Sequence, residues 1–157
     1  MGIVTPASAL SLSFSARANV GPVAATYGTG SWAGGQGTFS VTAARNASRA
    51  AIGSFEIRTT YFFSGHASVT CLAARTSDHT AVVVGRLDEP VFFDGRWWDY
   101  AGLWLRDNGS LDGQPDQITP FVAFGPVGCF TLLDWGAQFA LPLATGNVSI
   151  LSPPSHN

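Results

Sequence analysis

Apolar residues recur along this chain at every second position, and that period constrains its fold more than any other feature. Leu10, Leu12 and Phe14 alternate with Ser11, Ser13 and Ser15, and Phe39, Val41 and Ala43 share one face of residues 38–44. Across residues 54–63, Phe55, Ile57, Thr59 and Tyr61 oppose Glu56, Arg58 and Thr60. Side chains that point alternately to opposite sides belong to a β-strand, so these segments read as strands with one buried and one wet face. Residues 66–75, 80–87, 99–106, 118–124 and 147–151 extend the series, and Thr76-Ser77-Asp78-His79 has the chemistry of a hairpin turn. Ala81-Val82-Val83-Val84 has no polar face, which places it mid-sheet or in a barrel wall covered on both sides. Residues 44–51 have helix-compatible composition but make fewer than three turns, so they read as a hairpin loop.

The expected fold is therefore all-β: a single antiparallel β-barrel of eight to nine strands in a meander, with a β-sandwich as the alternative. Closure is favoured because it removes the edges that so many β-branched and aromatic residues would otherwise expose. With 157 residues the chain is long enough for one cored domain, drawn here over residues 1–151 with a polar tail at 152–157.

Charge excludes some partners. Eight basic residues, all arginine, stand against ten acids for a net charge of −2, so no basic field is available to hold a nucleic-acid backbone. No apolar run reaches the roughly 20 residues of a membrane-spanning helix. Glycine-rich phosphate loops, nucleophile elbows and metal-ligand spacings are missing from the sequence, so no cofactor is expected. Residues 1–12 lack the basic start and long apolar stretch of a secretory signal, yet Pro6-Ala7-Ser8-Ala9 resembles the tail of one. Export follows if that run is a signal remnant, and a cytoplasmic location follows if the N-terminus is native. Cys71 and Cys129 lack the close spacing of a metal or redox motif, which leaves two readings, a disulfide or two buried thiols.

Several segments carry a resemblance. Gly37-Thr38-Phe39-Ser40-Val41, Val69-Thr70-Cys71-Leu72, Thr80-Ala81-Val82-Val83-Val84-Gly85, Asp107-Asn108-Gly109, Pro115-Asp116 and Gly146-Asn147 follow one another in the order seen in a group of small, secreted all-β proteins of actinobacteria. The chain resembles that group over residues 37–151. The resemblance implies a compact all-β fold, export and a Cys71 to Cys129 bridge, and it brings no activity with it. The Trp-rich stretch at residues 96–104 departs from the group's pattern.

Three kinds of candidate site remain. Asp107, Asp112 and Asp116 cluster within ten residues, a density of oxygen donors that suits Ca²⁺, although Asn-Gly and Asp-Gly dipeptides make structural turns equally well. His66 begins a strand, where it can serve as an acid or base near neutral pH or simply bond to backbone or water. The densest signal is aromatic: Phe92, Phe93, Trp97, Trp98, Tyr100 and Trp104, interleaved with Asp94, Arg96, Asp99 and Arg106, with Tyr61 elsewhere. Such a mix suits an apolar pocket with polar anchors, a subunit interface, or core filling with Arg stacked on Trp. The expected function is that of a small-molecule-binding barrel whose interior or mouth holds a small hydrophobic molecule against Tyr61, Trp97, Trp98, Trp104 and Arg106. One alternative is a cofactor-free cyclase or isomerase using Glu56, Arg58, Tyr100 and His66. Another is a secreted subunit that assembles as a homo-oligomer through its aromatic surface.

Overall fold

The alternating pattern becomes a closed sheet. The computed structural model describes residues 24–32, 36–46, 50–109, 114–125 and 128–151, and these form eight antiparallel strands, each paired with its neighbours in sequence, with the last closing on the first. They are β1 (Ala24–Trp32), β2 (Gly37–Arg45), β3 (Ala51–Thr59), β4 (Gly65–Arg75), β5 (Thr80–Phe93), β6 (Arg96–Arg106), β7 (Gln117–Ala123) and β8 (Leu141–Leu151). The expected barrel is thus observed, with eight strands and no sandwich. The strand expected at residues 10–15, the signal-like run at 6–9 and the tail at 152–157 lie outside the described residues. β1 had no clear alternating stripe to announce it. Its glycines Gly28 and Gly30 pass so close to β8 that a Cβ at either would meet the Asn147 or Thr145 carbonyl oxygen.

Eight strands enclose room for side chains or for one small ligand. Here that room is taken by Phe39, Val41, Phe55, Ile57, Leu72, Val83, Leu103, Leu105, Ile118 and Val148, all buried in one cluster. At the end where β1 passes to β2, Trp32 is fully buried, with its Nε1–H donating to the Tyr61 hydroxyl at 3.0 Å. Gly37 permits this, since a Cβ there would overlap the Trp32 ring. Strand β3 ends at Thr59, earlier than its alternation suggested. The Thr59 hydroxyl accepts the Phe62 N–H at 2.8 Å and donates to the Phe63 carbonyl at 3.0 Å, which turns the chain and places Tyr61 in a loop.

Closure is staggered. β8 pairs with β1 over most of its length but meets β7 only at Gln117↔Pro142 and Ile118↔Leu141. The upper part of β7 consequently has no strand beside it on that side among the described residues. Residues 128–140 return from β7 as two short 3-10 turns, Cys129–Leu132 and Gly136–Phe139, laid over the outside of the wall.

Cys71 on β4 and Cys129 on this returning segment form a disulfide, with a sequence separation of 58. Closing a loop of that length removes about 4 kcal/mol of unfolded-chain entropy on the chain-entropy model. The double variant Cys71→Ala/Cys129→Ala is expected to lose about that much stability in urea titrations followed by circular dichroism. A change below about 1 kcal/mol would show that the outer segment holds its place by packing alone.

Candidate functional site

Alternation along β6 decides where the aromatic band goes. Ala101, Leu103 and Leu105 turn inward, so Tyr100, Trp104 and Arg106 stand on the outer face. The rings expected to enclose space inside the barrel therefore lie outside it. Leucine, isoleucine, valine and phenylalanine fill the interior with Trp32 at its end, and the indole of Trp104 packs outside against the returning segment. Arg106 lies over Trp104 at 5.2 Å and donates to Gln117 Oε1 at 3.2 Å, which is the Arg-on-Trp stacking weighed as core filling.

The outer face of β4 to β7 carries its own apolar cluster of Ala73, Val82, Val84, Trp104 and Phe121, joined by Cys129 and Leu133 from the returning segment. Ala81 and Val83 face the interior while Val82 and Val84 face this second cluster, so the stretch without a polar face is covered on both sides. Several bonds seat the segment. Trp104 Nε1 donates to the Leu133 carbonyl at 2.8 Å, and the buried Thr119 hydroxyl donates to the Gly136 carbonyl at 2.9 Å. Gly136 rests directly on the indole, where a Cβ would lie 2.1 Å from Trp104 Cγ. Arg75, at the end of β4, grips Asp78 through two bonds of 3.0 and 2.7 Å and reaches Asp134 of the segment at 2.9 Å.

Between this segment and the ends of β6 and β7 lies an open groove of about 280 Å³. Trp98, Phe121, Val122, Ala123, Phe124, Leu132 and Trp135 line it, all apolar side chains. Trp98 is fixed by donating its indole N–H to the Phe93 carbonyl at 2.7 Å, and its ring lies 4.5 Å from that of Phe124 at a 34° tilt. Trp135 meets Phe121 edge-on, with centroids 5.2 Å apart. The Arg96 guanidinium sits over both rings of the rim, 5.6 Å from Trp98 and 5.1 Å from Phe124.

The remaining candidates are dispersed. Glu56 and Arg58 pair with each other at 3.0 Å on the outer face of β3. His66 is the cross-strand neighbour of Glu56, and its Nδ1 lies 2.7 Å from Asp88 Oδ2 beside a shallow, more polar hollow of about 310 Å³. Tyr100 lies under Arg86 at 5.9 Å. Trp97 is 67% exposed and meets Phe92 edge-on, while Tyr61 is bonded to Trp32 at the barrel end. Of the residues named from the sequence, Trp98 alone lines the groove.

The acidic cluster serves as turn chemistry. Asp107 Oδ1 accepts the Gly109 N–H at 2.8 Å, and buried Asp116 accepts the N–H groups of Asn108 at 2.8 Å and Val148 at 2.7 Å. Desolvation raises the Asp116 pKa against the opposing pull of those two bonds. Asp112 lies outside the described residues, and no group of three or more metal-binding side chains occurs among the described residues. The sequence reading missed Phe121, Phe124, Leu132 and Trp135 as wall residues. The available signal was Phe130, Leu132, Leu133, Trp135 and Phe139 in a segment too apolar for a solvated loop. Comparison of the chain with protein-family models, curated proteins and solved structures found no match.

Arg75 gives the site a pH dependence. Its hydrogen bonds hold the Asp78 carboxyl below the ordinary carboxylate range, against partial desolvation. A lowered folded pKa contributes stability that is present above the unfolded value of about 4 and is lost as pH falls through the folded value. Between pH 7 and pH 2, the Asp78→Asn variant is expected to lose less of its urea-midpoint stability than the native chain. Parallel curves for the two proteins would remove this role from Arg75 and Asp78.

Proposed function

We propose that the protein binds a small, largely apolar molecule with an aromatic ring, held in the outer groove between Trp98, Phe124 and Trp135. The observation that carries this reading is the groove itself, walled by aromatic and aliphatic side chains and set against a rigid barrel. Its volume of about 280 Å³ is at the small end of ligand pockets, which suits a one- or two-ring molecule. Pre-formed walls support binding further, because Trp98 and Trp135 have little freedom left to lose when a ligand stacks on them. The segment that builds one wall is tied down by a disulfide, which suits an oxidising environment. Together with the resemblance to secreted all-β proteins, this supports export.

The reading is tested with 2-naphthalenemethanol, a neutral two-ring probe, by calorimetry and by ligand-observed NMR. Saturable one-to-one binding is expected, weakened at least tenfold in Trp98→Ala, since a stacked aromatic contact contributes about 1 kcal/mol beyond the apolar area it buries. No binding, or binding unaffected by Trp98→Ala, would end the proposal.

One observation favours a second reading, the self-assembling subunit. Phe92 and Trp97 pair with each other on the β5–β6 hairpin and are 58% and 67% exposed. If this tip mediates assembly, sedimentation velocity will show concentration-dependent oligomers that Trp97→Ser converts to monomers. A monomer at all concentrations would dismiss it.

A further inference from the structure

Charge around the groove is one-sided. Every described lining side chain is apolar, and the Trp98 indole N–H is already committed to the Phe93 carbonyl, so these walls offer a ligand's polar end little. The cation at the rim is Arg96, stacked over Trp98 and Phe124. Among the described residues no carboxylate pairs with it, whereas the guanidiniums of Arg58 and Arg75 are both engaged by acids. The acid nearest the opposite wall in sequence, Asp134, is taken by Arg75. A guanidinium carries five N–H donors in a planar fork, and contact with ring faces leaves those donors for another acceptor.

From this we infer that the groove selects an aromatic carboxylate: the ring enters between Trp98, Phe124 and Trp135, and the carboxylate meets the Arg96 guanidinium at the rim. This rests on the groove being a ligand site and adds the class of ligand. Planar two-point pairing between guanidinium and carboxylate distinguishes the acid from a neutral molecule of the same shape. The contact lies at an exposed rim, so its advantage is held down by solvent and salt.

The test compares 2-naphthoic acid with 2-naphthalenemethanol at pH 7 by calorimetry, using the native chain, Arg96→Gln and Arg58→Gln. The native chain is expected to bind the acid about tenfold more tightly than the alcohol, as a charge-assisted bond at a partly solvated site would give. Arg96→Gln should abolish that preference, bringing the acid and the alcohol to equal affinity. Arg58→Gln, which removes the same charge from the far wall, should leave the preference intact. A second measurement on the native chain alone guards against a variant that folds poorly: raising the salt concentration should shrink the preference toward unity. Equal binding of acid and alcohol would overturn the inference while the groove survives as a neutral aromatic site. A preference that persists in Arg96→Gln or is insensitive to salt would likewise overturn it. Failure of both probes to bind would remove the groove reading and this inference together.

Discussion

A sheet that is apolar on both faces has to be kept from water twice. In this barrel the wall formed by β4, β5 and β6 presents Ala81, Val83, Leu103 and Leu105 to the interior and Val82, Val84 and Trp104 to the outside. Closure of the sheet protects the first set and does nothing for the second. Leaving the outer set wet would forfeit about 1.5–3 kcal/mol for each large side chain. The chain answers by sending residues 128–140 back across the wall, and the disulfide, the Trp104 to Leu133 bond and the Thr119 to Gly136 bond follow from the need to hold that cover in place.

The cover also creates the groove. Because β8 begins low beside β7 and pairs with it at only two positions, the upper flank of β7 lies next to the returning segment in place of a strand. Two turns of 3-10 helix fit a strand's flank less closely than another strand does. The gap is lined by whatever each side presents, Phe121 to Phe124 from β7, Leu132 and Trp135 from the segment, and Trp98 from β6. A rigid element and a tethered one thus meet along a seam of aromatic rings, with the Arg96 guanidinium at its edge. Geometry of this kind needs no moving part to accept a flat ligand.

Polar groups in the structure are occupied mainly with holding backbone. Asp116 satisfies two N–H groups from separate parts of the chain, Asp107 caps its own turn, and Thr59 ends β3 by bonding two residues of the following loop. Buried or half-buried carboxylates and hydroxyls are retained where an orphaned backbone donor would cost more than the desolvation of the side chain. The His66–Asp88 and Glu56–Arg58 pairs differ, since both lie on the exposed outer face where water competes with each partner.

The sequence by itself determined most of the strands and their meander order and favoured closure over a sandwich, while β1 carried no stripe to announce it. Period-two alternation is a local property, and a meander with short turns leaves neighbours in sequence as neighbours in space. It also determined that residues 81–84 needed cover on both sides, because no polar position interrupts them. Which aromatic residues would share a site was decided only by tertiary structure. Alternation shows that Leu103 and Trp104 face opposite ways, but not which of the two faces inward; tertiary packing decided that, by closing Leu103 into the interior cluster and seating the Trp104 indole under the returning segment. The groove needs the stagger between β7 and β8 and the return of a loop without periodicity, and both are set by contacts between residues distant in sequence. Trp98 and Trp135 stand on opposite sides of one cavity for that reason, and nothing in the spacing between them could have placed them there.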